Sequence, residues 1–186
     1  MTRYAMVMDT RRCIACHSCT VACRTFNDLP LDMIYNPVLT DGPVGVYPNL
    51  HMNHMPLICM HCDTPPCVYV CPTGASKQED DGIVWVKAET CIGCKTCIQA
   101  CPYNARHIDH ALGVVAKCDF CKDRVRAGKE PHCVKTCHQR ARIFGDLDDP
   151  ASDVSRLVNL LNTIQLLEEL ETDPQVFYIL GTGGQG

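Results

Sequence analysis

Residues 91–102 read Cys91-Ile92-Gly93-Cys94-Lys95-Thr96-Cys97-Ile98-Gln99-Ala100-Cys101-Pro102. Three cysteines recur here at every third position within one tight loop, and a fourth follows four residues later, just before a proline. The same cysteine spacing occurs earlier as Cys13-x2-Cys16-x2-Cys19-x3-Cys23. Three thiolates in one loop, with a fourth directed away from it, suit a cubane [4Fe–4S] cluster, whose last ligand comes from a distant segment.

The other cysteines follow a similar pattern. The 186-residue chain has sixteen cysteines, and a third group, Cys59-x2-Cys62-x4-Cys67-x3-Cys71, is again followed by a proline. The fourth group is split into Cys118-x2-Cys121 and Cys133-x3-Cys137. Because each [4Fe–4S] cluster takes four thiolates, sixteen ligands predict four clusters with no cysteine left over. A series of four redox centres indicates a path for electrons.

Two other uses of the cysteines fit this spacing less well. Disulfides would be strained, since four thiols at x2 intervals in one loop cannot form two relaxed bridges, and no signal peptide for an oxidising compartment is visible. Structural zinc is the stronger alternative, because zinc sites use C-x2-C pairs. Those sites separate their two pairs by a longer spacer, whereas the present runs gather three thiols in one loop. A zinc-bound interaction module therefore stays as the alternative from another functional class.

Composition limits the possible cores and partners. With four Phe and one Trp against 12 Gly and 12 Pro, a conventional core would be thin. We therefore expect the clusters to act as nuclei for the loops, which couples metal binding to folding. The formal net charge is −4, and four clusters at roughly −2 each bring the holoprotein to about −12. This balance argues against a nucleic-acid partner.

The sequence also limits where the protein works. No apolar run approaches the roughly 20 residues that span a bilayer. Arg11-Arg12 is followed at once by Cys13 rather than by a hydrophobic region, so a twin-arginine leader is not expected. The predicted location is peripheral to the membrane: on the periplasmic side if the chain is exported folded with a signal-bearing partner, and cytoplasmic otherwise.

The sequence contains an internal repeat. Residues 13–23 align with residues 91–101, and an alanine follows three of the cysteines by four positions, in Cys71-Pro72-Thr73-Gly74-Ala75, Cys101-Pro102-Tyr103-Asn104-Ala105 and Cys137-His138-Gln139-Arg140-Ala141. The pattern indicates a duplicated two-cluster unit. One copy is contiguous, over residues 59–101. The other is split between residues 1–58, with 24–58 as an insertion, and residues 102–148; residues 149–186 follow as a C-terminal helix and strand.

The predicted fold is α+β: duplicated two-cluster ferredoxin-like units that are loop-rich, with small β-hairpins, plus a C-terminal helix. Strands are predicted at 1–9, 82–87, 114–116 and 176–180, and the insertion is expected to be a loop with a hairpin. Asp149-Pro150 predicts a helix start. Apolar residues at helical spacing over 151–170 predict an amphipathic helix whose apolar stripe packs into the core. Residues 181–186 are expected to be a frayed tail.

The four groups in this order resemble the iron–sulfur subunits of the dimethyl sulfoxide reductase superfamily, over nearly the whole chain. The motifs that carry the resemblance are Cys62-x2-Pro65-Pro66-Cys67, Cys71-Pro72-Thr73-Gly74-Ala75, Cys101-Pro102-Tyr103, Lys117-Cys118-Asp119-Phe120-Cys121 and Phe144-Gly145-Asp146-Leu147. Without a long insertion, the chain is most similar to the polysulfide, thiosulfate, tetrathionate and arsenate reductase branch. The resemblance implies a non-catalytic redox subunit of an oxidoreductase complex in anaerobic respiration.

The resemblance also implies which cysteines share a cluster. One set would lie nearest a molybdenum subunit, a second set at the opposite end, and two sets between them. In that order the sets are Cys13, Cys16, Cys19 and Cys137; Cys23, Cys118, Cys121 and Cys133; Cys59, Cys62, Cys67 and Cys101; and Cys71, Cys91, Cys94 and Cys97. These sixteen residues would be the iron ligands, and no catalytic residue is expected.

The implied partners are a large molybdopterin catalytic subunit with molybdenum or tungsten, and an integral-membrane quinone-reactive subunit or a soluble flavin subunit. The alternative keeps the electron path and changes the partner: a cytoplasmic polyferredoxin subunit of a tungsten aldehyde oxidoreductase, a hydrogenase or a flavin-linked complex.

Three of the histidines that lie in or beside the cysteine loops could tune a cluster potential. His138 stands where the family usually has proline, so it restores a backbone N–H that could raise the potential of the cluster at Cys137. His17 and His61 lie inside cysteine loops and could also donate hydrogen bonds to sulfur.

Overall fold

The computed structural model of the chain describes residues 2–181. Within them, the strands are β1 (Tyr4–Asp9), β2 (Val38–Val46), β3 (Asn49–Pro56), β4 (Ser76–Gln78), β5 (Val84–Val86), β6 (His107–Asp109), β7 (Val114–Ala116), β8 (Arg142–Asp146) and β9 (Val176–Ile179). The α-helices are α1 (Ser18–Phe26), α2 (Pro66–Tyr69), α3 (Thr96–Gln99), α4 (Lys122–Arg126), α5 (His132–Lys135) and α6 (Asp153–Leu160). Two 3₁₀ turns cover Ala88–Thr90 and Glu168–Leu170.

A three-stranded sheet of order β8-β1-β9 ties the two ends of the chain together. β1 pairs antiparallel with β8 and parallel with β9. Successive residues of a strand point to opposite faces, and both faces of β1 are buried. Met6 and Met8 pack into one core cluster, while Ala5 and Val7 pack into another. The predicted N-terminal and C-terminal strands are therefore confirmed.

Three antiparallel hairpins accompany this sheet: β2-β3, β4-β5 and β6-β7. β5 and β7 confirm the strands predicted at 82–87 and 114–116, and β2-β3 confirms the hairpin predicted in the insertion. Nearly every residue of β2 is exposed. The β2-β3 hairpin, which we call the arm (residues 38–56), therefore adds little to the core. The coarse fold prediction holds, since helices and strands are mixed and all the sheets are small.

The C-terminal helix is shorter than predicted. It ends at Leu160, and Leu161 already has an extended backbone. Ile164 then exchanges backbone hydrogen bonds of 2.9 and 2.8 Å with Tyr178 of β9. The predicted helix over 151–170 is wrong in its second half, because pairing with the C-terminal strand overrides the helical spacing of the apolar residues.

The start of α6 also differs from the prediction. Its N-cap is Ser152 rather than Asp149, and the Ser152 hydroxyl accepts a hydrogen bond from the N–H of Ser155 at 3.3 Å. Behind this cap, Val154 is fully buried against Ala5 and Val7 of β1. The predicted core packing of the helix is therefore confirmed over the residues that are helical.

Two further expectations concern the ends of the chain and its division. Residues 182–186 of the predicted frayed tail lie outside the described residues, and the predicted division into a contiguous and a split unit stays a prediction. Among residues 2–181, no helix has both the length and the apolar character needed to cross a membrane.

Candidate iron–sulfur centres

The cysteine loops owe their shape to residues in the left-handed helical region. In the loop between Cys91 and Cys97, Gly93 and Lys95 both have φ of 64°. At the equivalent positions near the N-terminus, Ala15 and His17 have φ of 50° and 56°. These reversals let thiols at x2 spacing line one cavity. At Gly93 a Cβ atom would lie 2.2 Å from the carbonyl oxygen of Gly113, so this position requires glycine.

Three of the predicted cysteine sets each line a separate cavity, and one member of each set comes from a distant segment of the chain. We name each site after one member. The three are the Cys16 site (Cys13, Cys16, Cys19 and Cys137), the Cys118 site (Cys23, Cys118, Cys121 and Cys133) and the Cys94 site (Cys71, Cys91, Cys94 and Cys97).

The remaining set is the Cys62 site (Cys59, Cys62, Cys67 and Cys101). The thiol of Cys62 is buried within it. Burial raises the pKa of Cys62 to about 12, although a hydrogen bond with Thr172 acts against the rise. The neighbouring thiolates of Cys59, Cys67 and Cys101 raise it as well, so these side chains lie close together. The structure thus brings together the members of all four sets. The assignment of each thiol to a cluster stays a prediction.

The geometry of the sites suits a polynuclear group. Among residues 2–181, no three His, Cys, Asp or Glu side chains converge closely enough to hold a single metal ion; the thiols stand around cavities instead. Backbone N–H groups are directed at three of the sulfurs, and such donors stabilise a thiolate ligand. The pairs are Ser76 and Cys71 at 3.4 Å, Val115 and Cys91 at 3.4 Å, and Ala141 and Cys137 at 3.3 Å.

Exposed cysteines mark the two ends of the series. Of the sixteen cysteines, all within the described residues, Cys16 and Cys94 are exposed. They occupy equivalent positions in the repeated run. The hydroxyls of Ser18 and Thr96 lie 3.5 Å from the sulfurs of Cys16 and Cys94, respectively. These hydrogen bonds lower the pKa of each thiol.

The order of the sites corrects what the resemblance implied. Although part of Cys118 is exposed, its thiol is deeply buried, and burial raises its pKa; the thiolates of Cys23, Cys133 and Cys59 raise it further. The Cys118 site therefore faces the Cys62 site and is an inner site, not an end. The physical reason is that Cys19 and Cys23 lie on the same helix, α1, so the sites they line must be neighbours. The order is Cys16 site, Cys118 site, Cys62 site and Cys94 site.

Comparison with known proteins agrees with the prediction that the cysteines hold iron–sulfur clusters. A family model described as a 4Fe-4S dicluster domain matches residues 50–147, and one described as a 4Fe-4S binding domain matches residues 10–26. A Halobacterium salinarum protein that is named as a dimethyl sulfoxide reductase iron-sulfur subunit is 42% identical over 100% of this chain and 82% of its own length. A tetrathionate reductase subunit of Salmonella typhimurium is 44% identical over 95% and 72%. A polysulfide reductase polypeptide of Wolinella succinogenes is 41% identical over 95% and 94%.

The chain belongs to the iron–sulfur subunits of the dimethyl sulfoxide reductase superfamily. This iron–sulfur subunit transfers electrons and is not the catalytic subunit. Its cofactors are [4Fe–4S] clusters, and sixteen cysteines provide for four of them. The predicted family, cofactor and non-catalytic role are confirmed.

Two buried arginines of the iron–sulfur subunit lie between neighbouring sites, and neither was predicted from the sequence. Arg106 donates from Nη2 to the sulfur of Cys67 at 2.8 Å and to the hydroxyl of Ser76 at 2.7 Å, and it also lines the cavity of the Cys94 site. Arg142 donates from Nη2 to the amide oxygen of Asn36 at 2.7 Å and lines the cavity of the Cys16 site. A signal for both was present, since each follows the repeated alanine.

Arg142 also reaches the neighbouring Cys118 site. Burial raises the pKa of the Cys133 thiol, and the Arg142 guanidinium lowers it through its charge and through a hydrogen bond. A third buried cation, Lys117, donates from Nζ to the carbonyl oxygens of Val84 and Cys118. Lys117 thus lies at the boundary between the two inner sites. It belongs to one of the motifs that carry the family resemblance, but no sequence pattern indicates that its charge is buried.

His61 fills the space beside Lys117. It is fully buried and stacks on Phe120, with ring centroids 3.6 Å apart. Its Nδ1 accepts a hydrogen bond from the N–H of Val84 at 3.1 Å. Burial lowers its pKa, and the charges of Lys117 and Arg106 lower it further, so the ring is neutral. The hypotheses that His17, His61 and the exposed His138 donate to cluster sulfur stay predictions.

Proposed function

We propose that this subunit conducts electrons one at a time, through four [4Fe–4S] clusters, between a large molybdopterin subunit with molybdenum or tungsten and a quinone-linked membrane subunit. The observation that carries the proposal is the series of four sites, whose exposed cysteines, Cys16 and Cys94, lie at its two ends. An electron path needs redox centres in succession and an accessible centre at each end. The protein holds the centres in place and tunes their potentials by burial, hydrogen bonds and charge.

We further propose that the four cysteines of each site are the ligands of one cluster. On this assignment, the Cys62 and Cys94 sites form the contiguous unit over residues 59–101. The Cys16 and Cys118 sites form the split unit over residues 1–58 and 102–148. The left-handed backbone shared by Ala15 and Gly93, and by His17 and Lys95, supports a common origin of the two units.

The arm is the proposed contact with the large subunit. It carries exposed apolar side chains, and Val46 and Tyr47 at its tip are 82% and 84% exposed. Its two base residues, Val38 and Pro56, line the cavity of the Cys16 site. A partner seated on the arm would therefore also cover the loop of Cys16, where the resemblance implies that the molybdenum subunit lies.

The membrane subunit is proposed to dock at the opposite end, beside the Cys94 site. Ile92 and Leu112 are 67% and 70% exposed there, and apolar side chains beside an exposed cysteine suit a surface that a partner covers. The Cys94 site replaces the Cys118 site, which the resemblance had implied for that end, because the Cys118 thiol is buried and lies near Cys59 of the Cys62 site.

The test is anaerobic purification of the subunit with its native partners, followed by a redox titration monitored by EPR. We expect a large subunit that contains molybdopterin to co-purify, and four separate one-electron cluster signals in the complex. Isolation as a free monomer that reduces several unrelated enzymes would instead favour a diffusible polyferredoxin. A flavin subunit in place of the membrane subunit would favour the flavin-linked alternative, and zinc in place of iron would contradict the proposal.

A further inference from the structure

Arg106 and Arg142 are buried cations without a carboxylate partner. Each is 3% exposed, and neither takes part in a salt bridge among the described residues. Nε and Nη1 of Arg106 and Nη1 of Arg142 are buried and have no hydrogen-bond partner in the protein. Burying an unpaired charge is strongly unfavourable. A negative charge must therefore compensate these guanidinium groups, and the nearest anionic groups are the cysteine sites.

The two arginines occupy the same position in the sequence repeat. Arg106 follows Cys101 by five residues and Arg142 follows Cys137 by five, and an alanine precedes each arginine. Each starts or immediately precedes a short strand, β8 for Arg142 and β6 for Arg106. At the corresponding position after Cys71 stands Ser76, whose hydroxyl accepts a hydrogen bond from Arg106 at 2.7 Å.

The surroundings of the two arginines match as well. Arg106 lines the cavity of the Cys94 site and donates to Cys67 of the Cys62 site. Arg142 lines the cavity of the Cys16 site. It begins β8, which packs against α5, the helix that carries Cys133 of the Cys118 site, and its charge acts on that thiol. Each guanidinium therefore lies between the two sites of one unit and reaches both. The repeated sequence position and the repeated location are independent observations of the same arrangement.

We infer that Arg106 and Arg142 are paired counter-charges, one for each two-cluster unit, and that each raises the reduction potentials of both clusters in its own unit. The inference rests on the proposed assignment of four cysteines to each cluster. Reduction adds one electron to a cluster and makes it more negative. A fixed positive charge nearby stabilises the reduced form more than the oxidised form, and burial in a low-dielectric interior makes the effect larger than for a surface charge. Arginine stays protonated at all working pH values.

Charge substitutions in the purified complex test the inference. The variants are Arg106→Gln and Arg142→Gln, which remove the charge, and Arg106→Lys and Arg142→Lys, which keep it. Arg140→Gln is the matched control, because it removes an exposed charge two residues from Arg142, where water and salt screen it. For each variant, iron and acid-labile sulfide are counted, and all four cluster potentials are determined by EPR redox titration. Cysteine variants at each site assign the signals.

We expect Arg106→Gln to lower the potentials of the Cys62 and Cys94 clusters. The reduction equilibrium of each should change by about tenfold, which is about 59 mV for a one-electron couple, while the other two clusters change by less than about threefold, or about 28 mV. Arg142→Gln should give the converse pattern in the Cys16 and Cys118 clusters. The lysine variants and Arg140→Gln should keep wild-type potentials within the same threefold limit.

Other outcomes are equally informative. Full iron content with unchanged potentials in both glutamine variants overturns the inference, as does an equal shift of all four clusters. If a glutamine variant loses iron, the lysine variant at the same position is compared with the wild type. Wild-type iron content and potentials in the lysine variant support a role for the charge. Loss of iron in the lysine variant as well shows that the shape of arginine matters rather than its charge, and overturns the inference. A wild-type complex with fewer than four clusters would contradict the proposed function instead, and is recognised before any variant is compared.

Discussion

Cys133 and Cys137 are four residues apart, yet they line different cavities. Cys133 belongs to the Cys118 site and Cys137 to the Cys16 site. Cys19 and Cys23 on α1 likewise line different cavities. Two cysteines four residues apart thus contribute one thiol to each of two neighbouring sites, as in two-cluster units generally. Single substitutions at these cysteines therefore test the ligand assignment.

We predict that Cys137→Ala damages the cluster at Cys13, Cys16 and Cys19 and leaves the Cys118 cluster intact. Removing one of four thiolates should convert or eliminate one cluster, with a loss of up to about four irons from a total of about sixteen. EPR of the reduced complex and iron analysis measure this. Cys133→Ala is the matched control and should damage the Cys118 cluster instead. If both variants lose the same signal, the assignment is wrong.

Phe120 shows how packing supports the inner sites. It is 1% exposed, stacks on His61 and meets the edge of Phe144 with ring centroids 5.2 Å apart. We predict that Phe120→Ala destabilises the holoprotein by about 3–5 kcal/mol, the usual cost of emptying a buried aromatic site. Thermal loss of the cluster absorbance measures the change, with Phe26→Ala, at a 63% exposed position, as the control. A Phe120→Ala variant no less stable than Phe26→Ala would contradict the packing argument.

At the scale of elements, the arm differs from the rest of the molecule. It is a long hairpin with exposed apolar side chains, whereas the other strands are short or buried. An exposed apolar surface of this kind is typical of an interaction site, which supports the arm as the proposed contact. Because its base lines the Cys16 cavity, the arm can join the fold of this subunit to the surface of a partner.

We predict that the double substitution Val46→Ser and Tyr47→Ser weakens binding to the large subunit by at least about tenfold, because losing two buried apolar anchors costs more than about 1.4 kcal/mol. Iron content should be unchanged, since the two residues lie far from the core. Co-purification and titration of the two subunits measure binding. Leu112→Ser, at the opposite end of the molecule, is the control and should leave this affinity unchanged. Equal weakening by both variants would contradict the proposed docking face.

At the scale of the whole molecule, the core divides into parts that contain cysteine and a part that does not. Buried cysteines belong to the cluster around Met6, Met8 and Phe120 and to the cluster around Val84 and Val115. The cluster of Ala5, Val7, Val154 and Ile179 contains none. We therefore expect the loops to depend on metal, whereas α6 and the face of the sheet that carries Ala5 and Val7 are held by ordinary hydrophobic packing.

We predict that removing iron with a chelator unfolds residues 59–101 first, and that the β8-β1-β9 sheet with helix α6 unfolds last. After chelation, amide hydrogens in residues 59–101 should exchange at rates of an unfolded chain, whereas those of β1 should keep measurable protection. Hydrogen exchange followed by mass spectrometry distinguishes the two regions. Equal loss of protection in both would show that the clusters hold the entire fold, and protection retained in residues 59–101 would show that these loops do not need metal.

Cysteine spacing by itself determined that the centres are iron–sulfur clusters. The spacing of the thiols and the left-handed backbone of residues such as Gly93 are local properties of a single loop, so they can be predicted from sequence. The repeat between residues 13–23 and 91–101 predicts a duplicated two-cluster unit, which stays a prediction. Short strands were predictable where a run of β-branched residues follows a turn, as at β5. The end of α6 was not, because the hydrogen bonds of Ile164 with Tyr178 connect segments that have no local relation.

Tertiary structure alone decided the order of the four sites and the placement of charge between them. The resemblance put the Cys118 site at an end, but the approach of Cys59 to Cys118 makes it an inner site. The sequence places Arg106 and Arg142 after a repeated alanine but does not show that they are buried. Their burial between neighbouring sites becomes visible only when loops from both halves of the chain meet, because the energy of a charge depends on what surrounds it in space.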